Sequence, residues 1–249
     1  MEHESVEHNE QIKQVVNENH DTAMPIINHL EEFRKRLIIS LITVGFCSII
    51  SYYFAEELVG FITAPAGKLY YMQPAEAFFT YMKVSIFAGF LVSVPMIVYQ
   101  GWAFLVPALT IRERAIAGAF IPAIVFLFFV GIAFSYFLVL PTGIQFFLGF
   151  ATNELQPLLS VGNYLDFVIM FILPFGFVFE LPLVLVILAR LGLVTSKMLI
   201  AKRNIVIFGA FVVGAIISPP EVFSQVMIAI PMIVLYEVGI FIIKYIMKK

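Results

Sequence analysis

Six long stretches without lysine or arginine decide what this chain can fold into. They are Leu37–Ala55, Val84–Ile111, Ala115–Asn153, Phe167–Ala189, Asn204–Pro220 and Val222–Ile243, and only Glu180 and Glu237 interrupt them with an acid. A helix rising about 1.5 Å per residue needs about 20 apolar residues to cross the hydrocarbon core. Stretches of this kind repeated through 249 residues predict an all-α polytopic membrane protein with six transmembrane helices. Composition agrees: 61% of the residues are hydrophobic and 13% charged, and mean hydropathy is +0.98. A soluble domain carries roughly 25% charged residues. The third stretch is too long for one crossing, and Pro141 with Gly143 predicts that it ends there in an outer loop. The fifth and sixth helices are expected to be short, because the Ser218-Pro219-Pro220 break follows Asn204 so closely. A short hairpin thins the bilayer or leans on a partner.

Orientation follows from the basic residues, which collect on the cytoplasmic side of membrane helices. With a cytoplasmic N-terminus and six spans, thirteen of the fifteen lysines and arginines fall inside, including Arg34-Lys35-Arg36, Arg112, Arg114, Lys202 and Arg203. Only Lys68 and Lys83 fall outside. Both termini are therefore expected to be cytoplasmic. Residues 1–23 are polar and acidic, read as a disordered tail rather than a signal peptide, and residues 24–249 form the membrane domain.

Composition and motifs argue against several functions. A net charge of −2 offers no basic face to nucleic acid. All four histidines precede the first span and the single cysteine, Cys47, lies in an apolar run, so the membrane part supplies no metal or haem ligand set. His3-Glu4-Ser5-Val6-Glu7 lacks the second histidine of a zinc-protease helix. Neither a nucleophile elbow nor a phosphate-cradling loop is present. No cofactor is expected and the chain is not read as an enzyme.

Carboxylates carry what chemistry there is. Glu180 lies near the middle of the fourth span, where insertion of an acid costs roughly 2.5–3.5 kcal/mol. Pro182 removes the donor that the Val178 carbonyl would use, and Pro174 does the same for Met170, so a kink is expected beside Glu180. No basic residue lies at matching depth, so Glu180 is either protonated or facing water. It glues helices or serves function, and the rarity of intramembrane acids favours function. Glu113 makes a capping box with Thr110 and equally makes a site for a guanidinium; both readings stand. His29, Glu32 and Arg36 share one helix face while Leu30, Phe33 and Leu37 share another, giving an amphipathic segment. Taken alone, Glu32 reads as a surface partner of Arg36. Ser218-x-x-Glu221 reads as a second capping box, with Pro219 at the first helical position. Glu237 is expected to pair with Lys244 or to snorkel.

Several motifs resemble one family. His29-Leu30-Glu31-Glu32-Phe33-Arg34-Lys35-Arg36, Ala64-Pro65, Gln100-Gly101-Trp102-Ala103-Phe104-Leu105-Val106-Pro107-Ala108-Leu109, Phe175 to Pro182 with its Phe179-Glu180, and Pro219-Pro220-Glu221-Val222-Phe223-Ser224-Gln225 follow in order over residues 24–249. The chain resembles TatC, the receptor subunit of the twin-arginine protein translocase. The resemblance implies a concave six-helix bundle in the bacterial cytoplasmic (inner) membrane that binds signal peptides of folded cargo proteins. It also implies TatB and TatA subunits as partners, a homo-oligomer within the complex, and transport driven by the proton motive force. Glu113, Glu32, Phe104 and Arg34 then fall at the signal-peptide site, and Glu180 is the functional acid of the concave face. Pro65, Pro219, Pro220 and Glu221 fall in outer loops needed for assembly or activity. Phe33 stands where the family usually has Leu, Ala115 where a second basic residue often follows, and Glu221 where Asp is commoner. Three rivals stand on residues alone: a proton-coupled solute transporter using Glu180, which the lack of internal repeats disfavours, an intramembrane enzyme, which is short of catalytic residues, and a scaffold for other membrane proteins.

Overall fold

The computed structural model describes residues 28–106, 118, 120–152, 154, 156–217 and 222–247. Helix α1 (Asn28–Tyr52) turns through 86° into α2 (Ala55–Thr63), which a short 3-10 turn extends to Ala66. Helix α3 is Pro74–Leu105, and α4 (Ile121–Leu148) contains a π-helical stretch at Ser135–Val139. Helices α5 (Val161–Val178) and α6 (Leu181–Arg190) form one broken span. Then come a short α7 (Ser196–Ala201), α8 (Arg203–Ile217) and α9 (Val222–Phe241), the last running on as a π turn to Ile246. Among the described residues four spans are long and apolar enough to cross a membrane unaided, and the bent α1–α2 pair, counted as one span, makes a fifth.

The bend after α1 is the largest departure from a plain six-helix reading. No proline or glycine marks it: the sequence is Ser51-Tyr52-Tyr53-Phe54-Ala55. The backbone tightens there, with Tyr53 N–H to Ile50 O and Phe54 N–H to Ser51 O, both 3.1 Å. Helix α2 restarts with Glu56 and Glu57 in its first turn, where acids favour the helix dipole. Its end is secured from elsewhere in the chain. Tyr136 of α4 donates to Phe61 O (2.6 Å), which also accepts from the Ala64 N–H, and Tyr164 of α5 donates to Ile62 O (3.1 Å), so side chains from two other helices bond the carbonyls of this helix end. Both tyrosines belong to the largest core cluster, with Val84, Leu140, Leu165 and Val168.

Two further expectations are corrected. Pro141 does not end the third span; α4 passes through it to Leu148. The π stretch just before it explains why, since Leu140 N–H reaches back five residues to Ser135 O and the ladder widens to take a residue without a donor. The fifth helix, α8, is short as expected: fifteen residues span about 22 Å against roughly 30 Å of hydrocarbon. The sixth is not short, because α9 with its π turn covers 25 residues. Where α4 crosses α5, Gly131 packs directly on the Phe175 carbonyl with no room for a Cβ, as expected where apolar helices associate without a hydrophobic drive.

A second cluster, built on Leu185, Ala189, Leu199, Tyr236, Ile240 and Ile243, holds α6, α7 and α9 together. Phe171, Phe175, Val139 and Ile228 join α4, α5 and α9. Arg203 at the start of α8 forks onto Glu237 of α9 (Nε–Oε1 2.6 Å, Nη2–Oε2 2.7 Å). The expected Glu237–Lys244 pairing is thus replaced by one between helices, because Arg203 offers a planar fork that matches both carboxylate oxygens. Lys244 instead lies 5.1 Å over the Tyr245 ring.

Candidate functional site

The start of α1 and the end of α3 meet at one end of the bundle. His29 stacks on Phe104 with ring centroids 4.2 Å apart and planes 17° from parallel, and Phe33 tilts against the same ring at 5.3 Å. One turn on from Phe33 along α1 and one turn back from Phe104 along α3, Arg36 donates from Nε (3.0 Å) and Nη2 (2.5 Å) to Oε1 of Glu32, and from Nη1 (3.2 Å) to Oε1 of Gln100. Glu32 and Phe104, which lie far apart in sequence, are therefore brought to the same corner. The Glu32–Arg36 pair expected from i,i+4 spacing is present, and Gln100 joins it from another helix. A cavity of about 890 Å³ opens beside it, lined by Glu31, Glu32, Arg34, Lys35, Arg36 and Gln100 among others. Leu30, Phe33 and Leu37 are all exposed, as side chains turned toward lipid would be. The amphipathic segment forms the first turns of α1.

Glu180 sits in the break between α5 and α6, about two-thirds of the way along the span Val161–Arg190. The expected kink is there. Glu180 N–H bonds to Phe177 O (3.1 Å) in a tight turn, and the chain restarts with Pro182 in the first turn of α6. Pro174, by contrast, lies inside α5 without breaking it. Glu180 Oε1 is buried and has no hydrogen-bond partner among the described residues. Pro65 lies in the 3-10 turn that follows α2, which ends at Gly67 with φ of +78°, a conformation that glycine adopts without strain. Glu113, Pro219, Pro220 and Glu221 lie outside the described residues, as do both expected capping boxes. Among the described residues no three histidines, cysteines or acids gather into a metal site.

One carboxylate was missed by motif reading. Glu76 closes a capping box with Gln73 at the start of α3. Its Oε2 accepts from the backbone N–H of Met72 (2.5 Å) and of Gln73 (3.3 Å), and its Oε1 accepts from Ser160 Oγ and from Gly162 N–H (2.8 Å). A Cβ on residue 162 would stand 2.9 Å from that oxygen, so any larger residue there would push the Glu76 carboxylate out of its present position. A parallel bridge between Tyr70 and Ser160 and a Lys83–Asp166 ion pair (2.6 Å) reinforce the join between the start of α3 and the start of α5. Gln73-Pro74-Ala75-Glu76 carries the signal, a proline at the first helical position and a glutamate two residues on. The partners at residues 160 and 162 carry none.

Comparison with known proteins gives one consistent result. Residues 28–231 match the family described as Sec-independent protein translocase protein (TatC). The TatC protein of Desulforapulum autotrophicum is 42% identical over 223 residues, covering 87% of this chain and 83% of its own. That of Aquifex aeolicus is 40% identical, covering 91% and 97%, and that of Escherichia coli K12 is 36% identical, covering 92% of each. A crystal structure described as the twin-arginine translocase receptor TatC superposes with a TM-score of 0.76 at 39% identity, over 87% of this chain and 98% of that one. A chain with this fold, this order of motifs and this extent of similarity belongs to the TatC family of Sec-independent protein translocase proteins.

Proposed function

We propose that this chain is the signal-peptide receptor and core subunit of a twin-arginine translocase. It binds paired-arginine signal peptides of folded cargo at the end of the bundle that carries Glu32, Phe104 and Arg34, with Glu113 as the principal acid. It then works with TatB and TatA subunits, as a homo-oligomer within the complex, to move cargo across the bacterial cytoplasmic (inner) membrane at the expense of the proton motive force. The N-terminus is cytoplasmic, which places the binding corner on the side from which cargo arrives. Glu180 serves partner docking and transport, and Pro65, Pro219, Pro220 and Glu221 serve assembly.

The observation that carries the reading is the corner itself. A planar guanidinium is best met by paired carboxylate oxygens and a flat aromatic face; lysine can pair with either as a point charge but reproduces neither the bidentate fork nor the plane-on-plane stacking. The corner sets Glu32 one turn from the stacked rings of His29 and Phe104. The basic residues around it supply the charge bias expected on a cytoplasmic face.

The test is binding of a fluorescent signal peptide to the protein in nanodiscs, comparing Arg-Arg with Lys-Lys and then repeating with Glu113→Ala. Preference for Arg-Arg that the variant abolishes supports the receptor role. Equal binding of the two peptides refutes it.

A further inference from the structure

The bonds within the Glu32–Arg36 pair are shared unevenly. A side-on guanidinium–carboxylate pair uses both oxygens of the acid. Here Nε and Nη2 of Arg36 both go to Oε1 of Glu32, and Nη1 goes to Gln100 on α3. Arginine only donates, so Gln100 has to turn its carbonyl oxygen toward it. The Gln100 amide nitrogen then faces Met96 Sδ at 4.0 Å. Gln100 is only 6% exposed, so this anchor is held by packing.

The consequence falls on the second oxygen of Glu32. Oε1 has its two lone-pair sites filled by Arg36. Oε2 accepts no hydrogen bond among the described residues, and it belongs to a side chain 30% exposed on the wall of the cavity. Without the Gln100 anchor no other described side chain pulls the guanidinium to one side, and the pair can relax to the side-on form that occupies both oxygens.

We propose that Gln100 is a positioning residue for guanidinium recognition: through Arg36 it holds the Glu32 carboxylate so that Oε2 stays open to an incoming arginine. This rests on the receptor reading above and adds a residue to it. A guanidinium depends on an oriented acceptor, whereas an ammonium is a compact, strongly hydrated charge with freely rotating donors that is less sensitive to which oxygen is free. Gln100 therefore sets the preference for arginine over lysine more than overall affinity.

The experiment measures Arg-Arg and Lys-Lys peptide binding to the full-length protein in nanodiscs, for the native chain, Gln100→Leu and Gln100→Glu. Loss of one charge-assisted hydrogen bond corresponds to about tenfold in affinity. Gln100→Leu should therefore weaken Arg-Arg binding about tenfold while leaving Lys-Lys binding nearly unchanged. Gln100→Glu, which keeps an oxygen acceptor for Nη1, should restore the ratio. A purely structural role for Gln100 lowers the binding-competent fraction, so both peptides lose alike and the ratio stays native; that result overturns the proposal, as does tighter Arg-Arg binding by Gln100→Leu. A native protein without any arginine preference refutes the receptor reading itself.

Discussion

Replacing Tyr164 by Phe removes one oxygen and leaves the ring in place. Tyr164 is 6% exposed and its hydroxyl donates to Ile62 O at 3.1 Å, in the last turn of α2. Phenylalanine keeps the packing against Leu165, Val168 and Ile172, so the change isolates the hydrogen bond. A buried acceptor left without its donor costs about 1–3 kcal/mol. Ile62 is also 6% exposed, so water does not readily replace the lost partner. Tyr136→Phe should cost less, about 0.5–1.5 kcal/mol, because Phe61 O also accepts from the Ala64 N–H and keeps that partner. For a chain of this size 1 kcal/mol shifts Tm by roughly 2–4 °C, so Tyr164→Phe should lower Tm by several degrees. The assay follows a dye that fluoresces on reacting with Cys47, the chain's single, half-buried thiol, as the protein is heated in detergent. The two substitutions together should cost less than their sum, since both act on one helix end. An unchanged Tm for Tyr164→Phe, or a larger loss for Tyr136→Phe, would mean that the Tyr164 hydroxyl does not hold the end of α2.

Three other perturbations probe separate parts of the structure. Gly162→Ala drives a methyl group against the Glu76 carboxylate and should lower thermal stability, read by the same thiol assay; a neutral substitution contradicts the join drawn between α3 and α5. Glu180→Gln keeps the polar group in the helix break and should preserve signal-peptide binding while weakening transport of a folded reporter into vesicles; intact transport contradicts a functional role. A double-mutant cycle on Arg203 and Glu237, whose side chains are 44% and 39% exposed, should give a coupling of at most about 1 kcal/mol that shrinks with salt. Salt-independent coupling contradicts an exposed pair.

The spans were legible because lipid imposes a coarse rule, long runs without charge, that survives without knowledge of any contact. The break at Glu180 was legible for a local reason: Pro182 removes a specific donor. The 86° bend after α1 was not, because it is made by turning Tyr53 and Phe54 out of the helix rather than by proline or glycine. Pro141 misled for the converse reason, since a π turn upstream absorbs a residue that a regular α-helix would not tolerate at that point. At the candidate site the Glu32–Arg36 pair follows from helical spacing, but Gln100 is 64 residues from Arg36 and no periodicity links them. The Glu76 cap shows the same limit: its own helix start is written locally, and its partners at Ser160 and Gly162 are supplied by tertiary contact.

A twin-arginine translocase subunit is defined by transport rather than by binding alone. Inverted inner-membrane vesicles lacking their own TatC, supplied with this chain and with TatA and TatB, would be given a folded fluorescent reporter carrying an Arg-Arg or a Lys-Lys signal. Only the Arg-Arg reporter should become protected from external protease, and only while the membrane is energised. Protection of both reporters alike, or protection that survives collapse of the proton gradient, would contradict that role.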